Sequence, residues 1–291
     1  MPQCKPADIQ PAQLSVSSNV NVQNCPCWQK IEENRLLRRI DTRLTPAQIA
    51  VPKWSAKAFE KQVLDIQPKV AVFDCDGTLW SGDSGYGFMV WSIEQGLVSR
   101  STSDWIDNRH RAYRAGNVSE LQICGEMVQI YAGLREQELE AAAAQYVREF
   151  VQPHVFAEIS SLVSTLRRRG VELWACSSTN KWVVTEGVRQ FGISEERVLA
   201  AEVTSVAGII GDEIVDVPTD GGKAAALARV GLHHPDAVFG NSIHDLAMLE
   251  IAAHAFPVNP SPALLEAAAR KGWGYFRPAA AEGVEARVDG E

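Results

Sequence analysis

Four short stretches of this chain carry side chains that can do chemistry together. Asp74-Cys75-Asp76-Gly77-Thr78 sets two carboxylates two residues apart, and Ser177-Ser178-Thr179-Asn180 groups hydroxyls ahead of a helical stretch. Lys223 stands alone after two glycines, and Gly240-Asn241-Ser242-Ile243-His244-Asp245 ends in an acid. A carboxylate can attack an electrophilic centre while a neighbouring one gives and takes a proton. Hydroxyls and N–H groups where a helix opens hold phosphate oxygens, and a lysine offsets the charge gathered there. Carboxylate, carbonyl and phosphate oxygens together suit a hard cation such as Mg²⁺. These are the parts of a phosphate-and-metal site.

Such a site needs elements that bring the four stretches to one edge. Val70-Ala71-Val72-Phe73 is a short apolar run of strand type that stops at Asp74. Strand-like runs recur at 171–176, 198–203, 237–239 and 255–258, with helical spacing at 156–169, 181–191, 223–230, 244–252 and 262–271. Strands alternating with helices predict a parallel sheet covered on both faces, and ligands of such sheets bind beyond the carboxyl ends of the strands. Runs 206–210 and 213–217 flank Gly211-Asp212 and read as a hairpin. Between about 80 and 151 the pattern is helical throughout (88–97, 103–114, 119–131 and 136–150), too long for a simple crossover and therefore an inserted lid.

In order and spacing, Asp-x-Asp-Gly-Thr, the strand-end Ser177, the isolated Lys223 and Gly-Asn-Ser-x-x-Asp-Leu-x-Met-Leu resemble the four motifs of the haloacid dehalogenase superfamily. The similarity runs from about residue 69 to 276, and the helical insert is similar to the cap of the phosphoserine-phosphatase-like branch. The resemblance implies an α/β fold, a Rossmann-like doubly wound parallel sheet with an inserted α-helical cap. It also implies a Mg²⁺-dependent phosphatase that hydrolyses a small phosphomonoester through an aspartyl-phosphate. On that reading Asp74 is the nucleophile and a metal ligand, and Asp76 is the acid/base, with its backbone carbonyl on the metal. Ser177 and Ser178 hold phosphate, and Lys223 bridges Asp74 and the phosphate. Asn241 and Asp245 complete the metal site, and Asp83 stands where that branch carries an acid for a substrate ammonium. Where the family has an acid after the glycine of the fourth motif, this chain has Asn241. That departure keeps a second reading open, a non-catalytic or attenuated phospholigand-binding protein. A third is a haloacid dehalogenase, which needs neither Asp76 nor a metal.

Simpler readings stand beside these. Asp74 and Asp76 can make turn hydrogen bonds, Lys223 can be a solvated first-turn lysine, and Ser242-x-x-Asp245 also fits a capping box. Gly82-Asp83-Ser84-Gly85 matches a serine-protease signature in the wrong fold context, and Gly221-Gly222-Lys223 lacks the rest of a P-loop. In the insert, Trp105, Arg109, Arg111, Tyr113 and Arg114 are candidates to line a substrate cavity.

Composition bounds the rest. With 28 basic against 36 acidic residues the net charge is −8, a poor match to nucleic acid, whose affinity comes largely from phosphate neutralisation. No stretch approaches about 18 uninterrupted apolar residues, so no membrane span is expected. The polar first 24 residues lack a charged and an apolar signal region. Six cysteines without a framework pattern point to a reduced, cytoplasmic setting; Cys25-Pro-Cys27 with Cys4 lacks the ligands of a zinc site. The expected organisation is a loosely attached segment 1–28 and an accessory helix with connector 29–68. A core at 69–79 and 152–277, a cap at 80–151 and a tail at 278–291 complete it. The expected partner is a small phosphorylated metabolite.

Overall fold

The computed structural model describes residues 51–282. A six-stranded sheet forms the centre, from β2 (Val70–Phe73), β3 (Glu172–Asn180), β4 (Val198–Val206), β5 (Ile209–Asp216), β6 (Ala237–Gly240) and β7 (His254–Pro257). Its order is β5-β4-β3-β2-β6-β7, parallel except for the antiparallel edge strand β5. From central β2 the chain moves out through β3 and β4, then returns to add β6 and β7 on the other side. The connections therefore diverge at the carboxyl end of β2, where an open α/β sheet makes its ligand crevice.

Alternation along the strands divides the core into two layers. Ala71 and Phe73 of β2, Leu173 and Ala175 of β3 and Phe239 of β6 face one side, where α6 (Ala157–Arg168) and α7 (Lys181–Arg189) bury Leu162, Val163, Val183 and Val184 against them. Val72, Trp174, Cys176 and Val238 face the other side. They pack there on Leu227 of α8 (Gly221–Arg229), Met248 and Leu249 of α9 (Leu246–Ile251), and Leu264 of α10 (Pro262–Lys271). The parallel sheet with helices on both faces expected from the alternating pattern is present.

The described part of the connector, 51–68, holds more structure than its prolines suggest. A two-residue strand β1 (Lys53–Trp54) pairs in parallel with β8 (Tyr275–Phe276), and α1 (Ala56–Asp65) follows, capped by Ser55. Phe59 of α1 is 1% exposed, stacks on Phe276 at 4.5 Å and meets Phe239 edge-on at 6.2 Å. Phe59→Ala should lower unfolding stability by about 3–5 kcal/mol, measured by denaturant melts. A loss under about 1 kcal/mol would show that α1 adds little to the core. The helix expected around Ile31, Leu37, Ile40 and Leu44, and Cys4, Cys25 and Cys27, lie outside the described residues.

The insert between β2 and β3 comprises α2 (Ser84–Glu94), α3 (Arg100–Arg114), α4 (Glu120–Gln129) and α5 (Glu136–Tyr146). The fourth is shorter than the helical pattern to 150 suggests, because Val147–Val151 form a π-helical turn and Gln152–His154 a 3₁₀ turn. Phe88, Trp91, Tyr131 and Tyr146 pack as an aromatic cluster inside the insert. The two segments joining insert to sheet bond to each other: Phe156 N–H donates to Leu79 O and Ser81 N–H to His154 O, both at 3.0 Å. On its far side the insert is stitched to β5, with Gly133 N–H on Ile210 O at 2.8 Å and Ile210 N–H on Leu134 O at 3.0 Å.

The hairpin turn lies four residues earlier than expected. Val206 pairs with Ile209, leaving Ala207-Gly208 as a two-residue loop with φ of 53° and 76°, the left-handed pair that suits the twist of a hairpin. Gly211 instead lies within β5, where a Cβ would come within 2.5 Å of Thr204 Oγ1. The glycine of the Gly-Asp pair answers a close approach between strands, and the sequence signal for a turn was the same residue type. Among the described residues no helix is long and apolar enough to cross a membrane.

Candidate active site

Asp74 is the first residue beyond β2, and its N–H donates to Phe239 O at 2.9 Å, extending the β2–β6 ladder by one step. The backbone therefore fixes where its carboxylate projects. Lys223, in the first turn of α8, is 2% exposed and donates to Asp74 Oδ1 at 2.7 Å and Asp245 Oδ1 at 2.5 Å. Thr78 Oγ1 donates to the other Asp74 oxygen at 3.0 Å. Asp245, 1% exposed, accepts on Oδ2 from the N–H groups of Asn241 and Ser242 at 2.8 and 2.9 Å. The Ser242–Asp245 capping box is thus real, and the same acid also holds the lysine.

Two buried carboxylates share one ammonium. Burial alone would pull the Lys223 pKa down, but Asp245 and Asp74 outweigh it and hold it well above its usual value. Burial and the negative Asp245 raise Asp74 to about 7, against the opposing pull of Lys223. The trio carries one uncompensated negative charge when both acids ionise. A cation at the exposed side of Asp74 would keep that carboxylate ionised and ready to attack.

Asp76 anchors a second set of contacts. Its Oδ1 accepts from Trp80 Nε1 at 2.6 Å and Ser84 N–H at 2.8 Å, and its Oδ2 from Thr179 Oγ1 at 2.6 Å. The acid two residues after Asp74 therefore touches the segment entering the insert as well as the end of β3. Gly77, at φ 75°, lies under Asn241: a Cβ there would come within 1.9 Å of Asn241 Nδ2. Only glycine satisfies both the backbone angle and the close approach.

Ser177 and Ser178 lie within β3 and not at the opening of α7. Asn180 is the residue that caps that helix, accepting from Val183 N–H at 2.9 Å. Register between β3 and β4 slips between Cys176 and Asn180, which is where the strand turns its hydroxyls toward the site. Ser177 Oγ accepts from Thr179 N–H at 3.2 Å.

A cavity of about 250 Å³ opens over these groups. Asp74, Asp76, Ser177, Ser178, Lys223 and Asn241 line its inner end, and Asp83, His110, Tyr113, Glu120, Cys124 and Met127 line the part formed by the insert. Of the sequence-derived candidates, Asp245 stands behind this wall with both oxygens engaged, so its place is to hold Lys223. Asp83 caps α2 by accepting from Tyr86 N–H at 2.8 Å and keeps accessible surface on the cavity wall. Crowding by protein and the negative Asp76 raise its pKa to about 6. Of the five candidate residues in the insert, Tyr113 alone lines the cavity. Arg109 forms a two-pronged pair with Glu126 at 2.8 and 2.7 Å, Arg111 binds Asn108, Arg114 lies over the Tyr86 ring, and Trp105 is 44% exposed. Thr78, Trp80, Thr179, Glu120 and His244 were not singled out from the sequence. Thr179 stood in the Ser-Ser-Thr-Asn run, but Glu120 differs in no sequence feature from other helix acids.

Among the described residues no three His, Cys, Asp or Glu side chains form a metal cage. Asp74, Asp76 and Asn241 nonetheless line the inner end; the side chains of Asp74 and Asn241, with the Asp76 backbone carbonyl, would make an all-oxygen donor set. Such a set suits a hard cation that keeps waters and completes its shell with substrate oxygens.

The model of the haloacid dehalogenase-like hydrolases matches residues 71–250, which span all four stretches. A histidinol-phosphatase of Neisseria meningitidis is 24% identical over 213 residues, covering 70% of this chain and 96% of its own. A probable phosphatase of Mycobacterium tuberculosis is 25% identical over 212 residues, covering 70% and 73%. A Bordetella pertussis protein of unknown function shares the fold with a TM-score of 0.63 at 23% identity, covering 71% of this chain and 97% of that one. A probable phosphoserine phosphatase of Vibrio cholerae does so with a TM-score of 0.51 at 15% identity, covering 70% and 64%. With more than half of its length matched by the family model, the chain belongs to the haloacid dehalogenase-like hydrolases.

Proposed function

We propose that this hydrolase is a Mg²⁺-dependent phosphatase that cleaves a small phosphomonoester through a phosphorylated Asp74. The observation that carries the reading is the buried Asp74–Lys223–Asp245 trio opening on a cavity that also presents Asp76. Relatives named as phosphatases support it.

A carboxylate approaching a phosphate dianion meets repulsion of roughly 4 kcal/mol per charge pair at 4 Å and an effective dielectric near 20. Lys223 lowers that barrier from behind Asp74. Asp74, the Asp76 carbonyl and Asn241 would hold Mg²⁺, which when bound withdraws charge from the phosphoryl oxygens. Ser177 and Ser178 orient the phosphate. Asp74 forms a bond to phosphorus as the ester oxygen leaves, and Asp76 gives that oxygen a proton. Asp76 then takes a proton from the water that attacks phosphorus, which frees phosphate and restores Asp74. Closed over the site, the helical insert excludes bulk water and sets substrate size. The described cysteines are free thiols, in keeping with a reducing, cytoplasmic setting.

Phosphate release from a panel of phosphomonoesters, with Mg²⁺ and then with excess EDTA, tests the reading. Activity should fall to background on chelation and return with added Mg²⁺. Halide release from 2-haloacids that ignores EDTA, or tight phosphoester binding with no turnover, would overturn it.

A further inference from the structure

Phosphate and leaving group must occupy opposite ends of one cavity, and the two ends differ in charge. Among the described residues, Lys223, at the phosphate end, is the only lysine or arginine that lines the cavity. The outer part carries two acids, Asp83 from the start of the insert and Glu120 from the first turn of α4. The nearby arginines are engaged elsewhere, Arg109 by Glu126 and Arg114 by the Tyr86 ring.

We propose that the substrate's leaving group carries a cationic nitrogen and no carboxylate, as in an amino-alcohol phosphate, and that Glu120 with His244 selects it. The proposal rests on the phosphatase reading and names its substrate class.

Glu120 accepts from Tyr113 OH on Oε2 and from Cys124 Sγ–H on Oε1 at 3.5 Å. A carboxylate accepts about four hydrogen bonds, so half its capacity still faces the cavity. His244 stands beside it at the same part of the wall. Its Nδ1 lies 2.7 Å from Asp220 Oδ1, and its Nε2 is 3.9 Å from Glu120 Oε2, too far for a direct hydrogen bond. An ammonium placed at this gap donates to Glu120 beside the imidazole ring.

Asp83 and Glu120 put two carboxyl groups on one part of the wall. A cation is attracted to both, whereas a carboxylate on the leaving group would face like charge and meet no arginine among the described lining residues. The walls suit a cation too. Tyr113 offers a ring, and His110, whose pKa burial and Arg114 lower, stacks on Tyr86 at 4.3 Å.

The test compares phosphate release from phosphoethanolamine, histidinol phosphate, O-phosphoserine, glycerol 2-phosphate and p-nitrophenyl phosphate, for wild type and Glu120→Gln. At least one amine should exceed O-phosphoserine and glycerol 2-phosphate in kcat/KM by about tenfold or more. Glu120→Gln, whose amide oxygen still accepts from Tyr113, should collapse that ratio mainly through KM. Equal rates on amine, zwitterion and neutral ester, or a Glu120→Gln loss shared by all of them, would overturn the selectivity. Hydrolysis of p-nitrophenyl phosphate without amine preference sinks this inference alone. No Mg²⁺-dependent release from any ester sinks the phosphatase reading, and this inference with it.

Discussion

Asp74→Asn should abolish phosphate release, lowering kcat on the order of 10⁴-fold or more, because the variant loses the carboxylate proposed to bond to phosphorus. Acid-quenched reactions with radiolabelled phosphoester should show label on wild-type protein and none on the variant. Asp76, positioned by Trp80, Ser84 and Thr179, keeps its proton-transfer place in the variant. The same variant should keep or raise the thermal midpoint. Asparagine removes one of the two carboxylates that compete for a buried Lys223, leaving a balanced Lys223–Asp245 pair. Lost activity with undiminished stability separates a reacting group from a structural one. Covalent label persisting on Asp74→Asn would place the nucleophile elsewhere.

Lys223→Met is expected to be damaging in both respects. The ammonium is all that compensates two carboxylates at 7% and 1% side-chain exposure, and its removal leaves like charges facing each other in a dry setting. Breaking a buried pair in this way costs about 3–5 kcal/mol, so the denaturation midpoint should fall sharply. Without the lysine's opposing pull, the folded-state pKa of Asp74 stands further above its unfolded one. The folded variant then binds more protons than the unfolded chain, and its stability rises as pH falls toward the unfolded carboxylate range. The deficit relative to wild type should therefore be largest near neutrality and shrink in mild acid. A deficit that does not change with pH would mean that lost packing of the lysine stem, and not charge, is what matters.

Several placements could be read from residue order. Val70-Ala71-Val72-Phe73 is too short and too apolar to be anything but a buried strand, and its length puts Asp74 at the sheet's edge. Helix α10 begins at Pro262 after Ser261 and ends before Gly272 in the left-handed conformation, the local signals its sequence displays. The Ala207-Gly208 turn and the helix at 56–65 were missed for different reasons. Two-residue turns depend on which residues pair across the strands, and Ser55's cap lay among prolines that also mark loops. The Ser177–Asn180 run was read as the helix start, although only its last residue caps α7.

Local chain chemistry determined which side chains reach the sheet's edge, because a strand's period and a helix's first turn fix direction within a few residues. It thus determined that Asp74, Asp76 and Lys223 meet as a group at one end of the cavity. Only the tertiary structure decided that Asp245 stands behind Lys223 instead of facing the cavity, that the arginines of the insert turn away, and that Glu120 faces His244. Those outcomes depend on how helices from a separate part of the chain pack over the sheet, and a helix's outward face carries no record of what will lie opposite it.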